Sequence, residues 1–195
     1  MEGGETMHIP QSLYSSMRLI FLYVDRYVFR RGWAYPESYV PYCMLRYILK
    51  GSAVFRVNGE EYLVGENEIF YIPEGCQLEC HALGEEFEFI SIRFTVTVQL
   101  DGSDFLAEYF HIPRVTRGAD GEVLGYFQQV YQNATTQNSG KLFRIRGNLE
   151  LILADAEMVT RRVDKAQKAA KGGDKRFLHE VEVFQGPVSY THLTL

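Results

Sequence analysis

The pattern of apolar and polar positions changes character near residue 100. Before that point, short β-branched or aromatic runs alternate with turns rich in Gly, Asn and Pro, which is typical of antiparallel strands. Asn58-Gly59 predicts a two-residue hairpin, because both residues tolerate the positive φ of a type I′ turn. A small β-sandwich or barrel is therefore expected over residues 18–100. The predicted strands are Leu19–Val24, Cys43–Leu49, Ala53–Val57, Glu61–Val64, Ile69–Ile72, Gln77–His81 and Phe87–Val96.

Beyond residue 101 the apolar spacing becomes helical. A short helix is expected within Ser103–His111, and a second one follows Asp120, which is a suitable N-cap. The third helix is predicted over residues 142–170, where steps of three and four residues are typical of an a/d seam. Two interpretations of this seam are open: it packs on the barrel or its sister helix, or it also pairs with a second subunit. The candidate dimer-interface residues are Leu142, Ile145, Leu149, Ile152, Ala156, Val159 and Val163.

Composition narrows the class of protein. The chain has 195 residues, 46% of them hydrophobic and 14% aromatic, which indicates a folded domain with large rings in its core. Its net charge of −5 gives no electrostatic basis for nucleic-acid binding by the chain as a whole. No apolar run approaches 18 residues, so no membrane partner is expected. An acidic start and three cysteines, read as free thiols, favour a cytoplasmic location.

Three stretches together resemble a known family. Pro36–Gly51, Ala53–Gly59 and Tyr62–Gly75 are similar to the N-terminal effector-binding domain of AraC-type transcription regulators. The resemblance implies a fold class that is mainly β with an α appendage: a cupin (double-stranded β-helix, jelly-roll barrel) followed by two antiparallel helices. It also implies a small-molecule effector, a homodimer, and DNA binding through a separate C-terminal domain with two helix-turn-helix motifs.

The resemblance divides the chain into five parts. Residues 1–17 are expected to form an N-terminal arm, 18–100 the effector-binding barrel and 101–171 a helical dimerisation segment. Residues 174–185 resemble the first helix of a truncated helix-turn-helix domain. Residues 186–195 are interpreted as a non-native tail, so the DNA-binding domain is expected to be missing here.

Many cupins are metalloenzymes, but the ligand positions of that motif are not occupied by metal-binding residues here. The third histidine of the motif would lie three residues after Gly75, where this sequence has Leu78. The remaining candidate ligands are an improvised set of Glu37, Cys76, Cys80 and His81. We therefore expect neither a metal nor another cofactor.

The same register predicts which side chains point into the barrel. Leu78 and then Cys80 should face inward, Met44 and Arg46 share a parity, and so do Phe89 and Ser91. An arginine in a barrel favours a carboxylate, a phosphate or sugar hydroxyls, so the expected effector is a carbohydrate or a small acid. In the resembled family, the segment before the first barrel strand also contributes. The predicted ligand-binding residues are Arg31, Trp33, Tyr35, Arg46, Cys80, Phe89 and Ser91.

These observations predict the ligand-sensing and dimerisation part of an AraC-type regulator, and not an enzyme. A stand-alone small-molecule-binding cupin is the first alternative. A metal-free cupin isomerase or epimerase is the second, and it would need a carboxylate or histidine facing Arg46.

Overall fold

The computed structural model describes residues 16–98, 104–117 and 121–171, and within these ranges it places side chains up to residue 157. The strands are β1 (Leu19–Arg30), β2 (Ala34–Val40), β3 (Cys43–Lys50), β4 (Ala53–Val57), β5 (Glu60–Val64), β6 (Ile69–Ile72), β7 (Cys76–Ala82), β8 (Glu86–Val96) and β9 (Val115–Thr116). The helices are α1 (Phe105–Phe110), α2 (Gly121–Thr135) and α3 (Lys141–Lys171). The predicted parts at residues 174–185 and 186–195 lie outside the described residues, as do residues 1–15 of the predicted arm.

The strands form two antiparallel sheets that face each other. One sheet has the order β1-β8-β3-β6-β9 and the other the order β2-β7-β4-β5. Side chains from both sheets meet between them; Phe55 of β4 and Phe70 of β6, for example, have ring centroids 4.4 Å apart. The predicted fold class, mainly β with a following helical part, is confirmed.

The predicted hairpin at Asn58-Gly59 is also confirmed. A second turn, at Gly51, brings the backbone close to β8. Asn58 and Gly59 have φ values of 50° and 88°, and Val57 pairs with Glu60 on either side of them. Gly51 has a φ of 77°, and a Cβ there would lie 2.2 Å from the carbonyl oxygen of Glu86. Only glycine fits this position, which joins the start of the β3–β4 turn to β8.

The five-stranded sheet is buried on both faces. In β3, Leu45 and Tyr47 face the helices, whereas Met44, Arg46 and Ile48 face the space between the sheets. This explains why β3 is apolar at nearly every position instead of alternating. The inward parity predicted for Arg46 is the one that the structure shows.

Helices α2 and α3 pack on the outer face of this sheet and on each other. The rings of Tyr47 in β3 and Phe127 in α2 are 5.4 Å apart, which joins the two layers directly. No helix among the described residues is long and apolar enough to cross a bilayer.

The predicted seam of α3 faces the core of its own chain over the described side chains. Ile145, Leu149, Ile152 and Ala156 are all 1% exposed or less and belong to the cluster between the helices and the sheet. Their assignment to a dimer interface is therefore corrected to packing within the chain, because a second subunit cannot reach them while the core is closed. Leu142 is 62% exposed, and the side chains of Val159 and Val163 lie outside the described ones.

Leu149→Ala is expected to lower the free energy of unfolding by about 2–5 kcal/mol, because it leaves a cavity in the helix–sheet core. Chemical denaturation followed by circular dichroism measures this loss. The difference from the parent should be the same at every protein concentration, since the residue packs within one chain. Leu63→Ala is the matched control: Leu63 is 59% exposed, and its loss should stay within about 0.5 kcal/mol. A loss at position 149 that varies with protein concentration would contradict the assignment.

Candidate functional site

Arg46 lies in the middle of β3 with its side chain between the two sheets. It is only 6% exposed, although its neighbours in this inner cluster are almost all apolar. Its guanidinium lies over the rings of Phe55 and Phe89, with the carbon Cζ 5.5 Å and 4.9 Å from the two centroids. An arginine is placed at such a position only rarely, because removing its charge from water is costly.

The guanidinium of Arg46 has almost no hydrogen-bond partners. Its Nε and Nη1 atoms are buried and unpaired, and Nη2 has only the thioether sulfur of Met44 at 3.8 Å. Burial lowers the pKa of Arg46, and the nearby charge of Arg93 contributes to the lowering. An arginine remains charged in proteins nevertheless, so the interior contains an uncompensated cation.

Arg93 is a second arginine that faces the same space. Arg46 is opposite Ser91 and Met44 is opposite Arg93 in the β3–β8 pairing, so the two arginines are diagonal neighbours on one face. Arg93 donates a hydrogen bond from Nη2 to the hydroxyl of Tyr27 at 3.1 Å, but its Nε is buried and unpaired. Two positive charges therefore face the same end of the interior.

Aromatic side chains of β1, β8 and the β1–β2 turn pack beside this pair. Phe29 and Trp33 are stacked with centroids 4.1 Å apart, and Tyr27 lies 5.3 Å from Phe89. Tyr27, Phe29, Trp33 and Tyr35 are half-buried, so this part of the inner cluster reaches the surface. A flat or apolar molecule entering here would meet rings before it met the guanidiniums.

The structure brings four of the predicted ligand-binding residues together; whether they bind a ligand stays a prediction. Arg46 is directly opposite Ser91, which is 1% exposed, and Phe89 lies under its guanidinium. Cys80 belongs to the same inner cluster and is paired with Tyr35 across the β2–β7 ladder. Trp33 also borders the cluster, but one face of its ring is already covered by Phe29.

Arg31 is the exception, and its predicted place in the site is wrong. Its side chain is 80% exposed, and its Nη1 atom lies 3.1 Å from Oε1 of Glu85 in an ion pair at the surface. β1 continues to Arg30, and Gly32 with a φ of 83° then turns the chain tightly into β2. Arg31 is therefore at the outside of a turn and not on a segment that crosses the barrel.

Sequence reasoning missed Arg93 and Tyr27. Arg93 is two residues beyond Ser91, so the alternation that placed Phe89 and Ser91 on one face could have found it. Tyr27 had no such signal, because the predicted first strand ended at Val24, whereas β1 extends to Arg30.

The three cysteines are free and buried, and burial raises the pKa of each thiol. Burial raises the pKa of Cys80 to about 12, against the opposing effect of the Arg46 charge. Burial also raises the pKa of Cys43 and of Cys76 to about 11. The Cys80 thiol is therefore protonated at neutral pH, so it offers a ligand a weak donor and not a nucleophile.

Three glutamates follow Gly84, namely Glu85, Glu86 and Glu88, and each forms an ion pair. Glu86 accepts a hydrogen bond from Lys50 Nζ at 2.7 Å, and Glu88 pairs with Arg26 on the helix side of the sheet. Glu85 pairs with Arg31, as described above. Across the described part of the chain, no three His, Cys, Asp or Glu side chains converge on a point where a metal ion would fit.

The chain matches the family described as AraC-like ligand binding domain over residues 21–152, which is more than half of its length. Its structure is similar to that of an RmlC-like cupin family protein with a double-stranded β-helix fold from Methanocaldococcus jannaschii. The identity is 19%, the match covers 36% of this chain and 66% of that one, and the TM-score is 0.34.

Two further solved structures are similar to parts of the chain. The cupin domain of Cnp3 from Schizosaccharomyces pombe is 17% identical over 40% of this chain and 64% of that one, with a TM-score of 0.36. YhaK from Escherichia coli is 16% identical over 50% of this chain and 41% of that one, with a TM-score of 0.39. No curated protein sequence matches the chain.

Arg46→Met is expected to raise the free energy of unfolding by about 1–3 kcal/mol, because methionine keeps the volume and removes unpaired buried donors. Denaturant unfolding of the chain without added ligand measures the change. Arg56→Met is the matched control, since Arg56 is half exposed and pairs with Glu61 and Glu79 at the surface; its effect should stay within about 1 kcal/mol. A loss of stability in Arg46→Met would show that the guanidinium is compensated within the fold.

Proposed function

The chain belongs to the family of AraC-like ligand-binding domains, and we propose that it is the ligand-sensing and dimerisation part of an AraC-type transcription regulator. A small polar effector enters the barrel and binds to Arg46, with Trp33 and Tyr35 on the approach. DNA binding belongs to a separate domain in this proposal. Three free cysteines support a reducing, cytoplasmic environment.

One observation supports the binding function above all others, namely the buried and unpaired guanidinium of Arg46. Buried polar groups in folded proteins are nearly always hydrogen-bonded, so an orphan in the interior indicates a partner that arrives from outside. The half-buried aromatic side chains lie where this inner cluster reaches the surface, and we propose that a small molecule enters there.

Binding accounts for the interior better than catalysis does. The isomerase alternative requires a carboxylate or a histidine that faces Arg46. Among the described residues, no such group forms a hydrogen bond or an ion pair with Arg46, and the neighbouring Cys80 thiol is protonated. We therefore propose a sensor and not an enzyme.

We further propose that two copies meet through the outward face of α3. Phe143 and Leu151 are 82% and 45% exposed, and Gly147 and Ala154 lie on the same face at intervals of three or four residues. An exposed phenylalanine beside two small residues allows another helix to approach closely. This face replaces the predicted seam, whose described residues are mostly buried.

The sensing proposal predicts that a screen of neutral sugars, organic acids and amines finds at least one class that raises the melting temperature of the full chain. Ser91→Leu, which places a larger side chain opposite Arg46, should abolish the shift, and so should Arg46→Met. Arg56→Met should preserve it, because Arg56 lies on the outer surface of β4.

If a compound still raises the melting temperature of both Ser91→Leu and Arg46→Met, its binding site lies outside the barrel. A screen in which no compound class raises the melting temperature would contradict ligand sensing altogether.

The dimer proposal predicts that Phe143→Asp and Leu151→Asp shift the chain from dimer to monomer in sedimentation equilibrium, because each puts a charge into an apolar interface. Leu63→Asp is the control, since the exposed fraction of Leu63, 59%, lies between those of Phe143 and Leu151, and Leu63 is on the four-stranded sheet. A parent chain that is monomeric, or variants that remain dimeric, would contradict the assignment of this face.

A further inference from the structure

We propose that the effector of this barrel is a small organic carboxylate with an apolar body, and not a sugar. This inference rests on the proposed sensing function and specifies the ligand of the same site. It follows from the balance of donors and acceptors inside the barrel, from the unpaired positive charge, and from the apolar lining.

The interior offers donors in excess of acceptors. Arg46 has two unpaired nitrogens and Arg93 has one, and a guanidinium contains no acceptor. The polar side chains near them are Ser91, Cys80, Tyr35, Tyr42 and Tyr27, of which the Tyr27 hydroxyl already accepts a hydrogen bond from Arg93. A sugar needs donors and acceptors around its whole ring, whereas a carboxylate only accepts, so the carboxylate fits this inventory.

The charge points to the same class. Two other arginines of the sheets are paired with acids: Arg26 with Glu88 and Arg56 with Glu79. Arg46 and Arg93 form no ion pair with any described residue. As diagonal neighbours of an antiparallel ladder, their Cα atoms are roughly 7–8 Å apart. An anion placed between the two side chains would satisfy both, and arginine binds carboxylates through two parallel N–H bonds.

The rest of the lining selects the body of the ligand. Phe55 and Phe89 lie against the guanidinium of Arg46, and Phe87 contacts both rings, with Ile48 and Leu78 in the same buried cluster. Hydroxyl groups placed against these side chains would lose their hydrogen bonds to water without replacement. An aromatic, alicyclic or branched aliphatic body loses none.

The test compares acids with neutral molecules of the same shape. The probes are benzoate, cyclohexanecarboxylate and 3-methylbutanoate, each beside its primary amide, together with D-xylose and D-glucose. Calorimetric titration of the full chain should show at least one acid binding about 10- to 100-fold more tightly than its amide, since a carboxylate accepts two parallel N–H bonds and carries the opposite charge, whereas an amide offers one acceptor.

Three variants locate the effect. Arg46→Met should abolish acid binding, Arg93→Met should weaken it, and Arg56→Met should leave it unchanged. If Arg46→Met does not fold, the comparison of acid with amide on the parent chain still decides the question.

Each unfavourable outcome is distinguishable from failure of the sensing function. Amides or sugars that bind as tightly as the acids would overturn the carboxylate assignment and leave a barrel that still senses a ligand. Absence of binding by all three acids would also overturn it, and the broader screen described above then tests the sensing function independently.

Discussion

Burial of the five-stranded sheet on both faces is the constraint from which the rest of the architecture follows. β3 and β8 are interior strands of this sheet. Side chains in the middle of each strand therefore pack either against the helices on one face or against the opposing sheet on the other. Leu45 and Tyr47 pack against the helical layer, and Met44 and Ile48 pack between the two sheets. A polar side chain in the middle of these strands therefore has no exposed face available, and Arg46 lacks the oppositely charged partner that Glu88 has in Arg26.

The cost of Arg46 is offset only in part by its surroundings. A buried donor without a hydrogen bond is destabilising, and a cation–π contact attracts the charge without accepting a hydrogen bond from each N–H group. Phe55 and Phe89 supply such contacts, but aromatic faces do not replace hydrogen bonds to Nε and Nη1. The two unpaired donors of Arg46 are therefore the observation on which the proposed binding site depends.

The sequence predicted the barrel and the inward parity of Arg46, because hairpin chemistry and the alternation of side chains are local properties. It could not decide what covers the apolar stripe of α3: periodicity shows that Leu149 is buried but not whether its own chain or another buries it. Arg31 was misplaced because the length of β1 depends on pairing with β8, which no local pattern of the first strand encodes. Arg93 could have been predicted, since it continues the alternation of Phe89 and Ser91.

The unpaired guanidinium has a consequence for protein engineering. A library of this chain selected only for heat resistance would accept an apolar residue at position 46 early, because stability and ligand recognition make opposite demands there. The product would be a more stable barrel without the side chain that the proposed function uses to bind its ligand. Any stabilised form of the chain intended as a biosensor scaffold therefore needs Arg46 held fixed while the helical layer and the outer surfaces are improved.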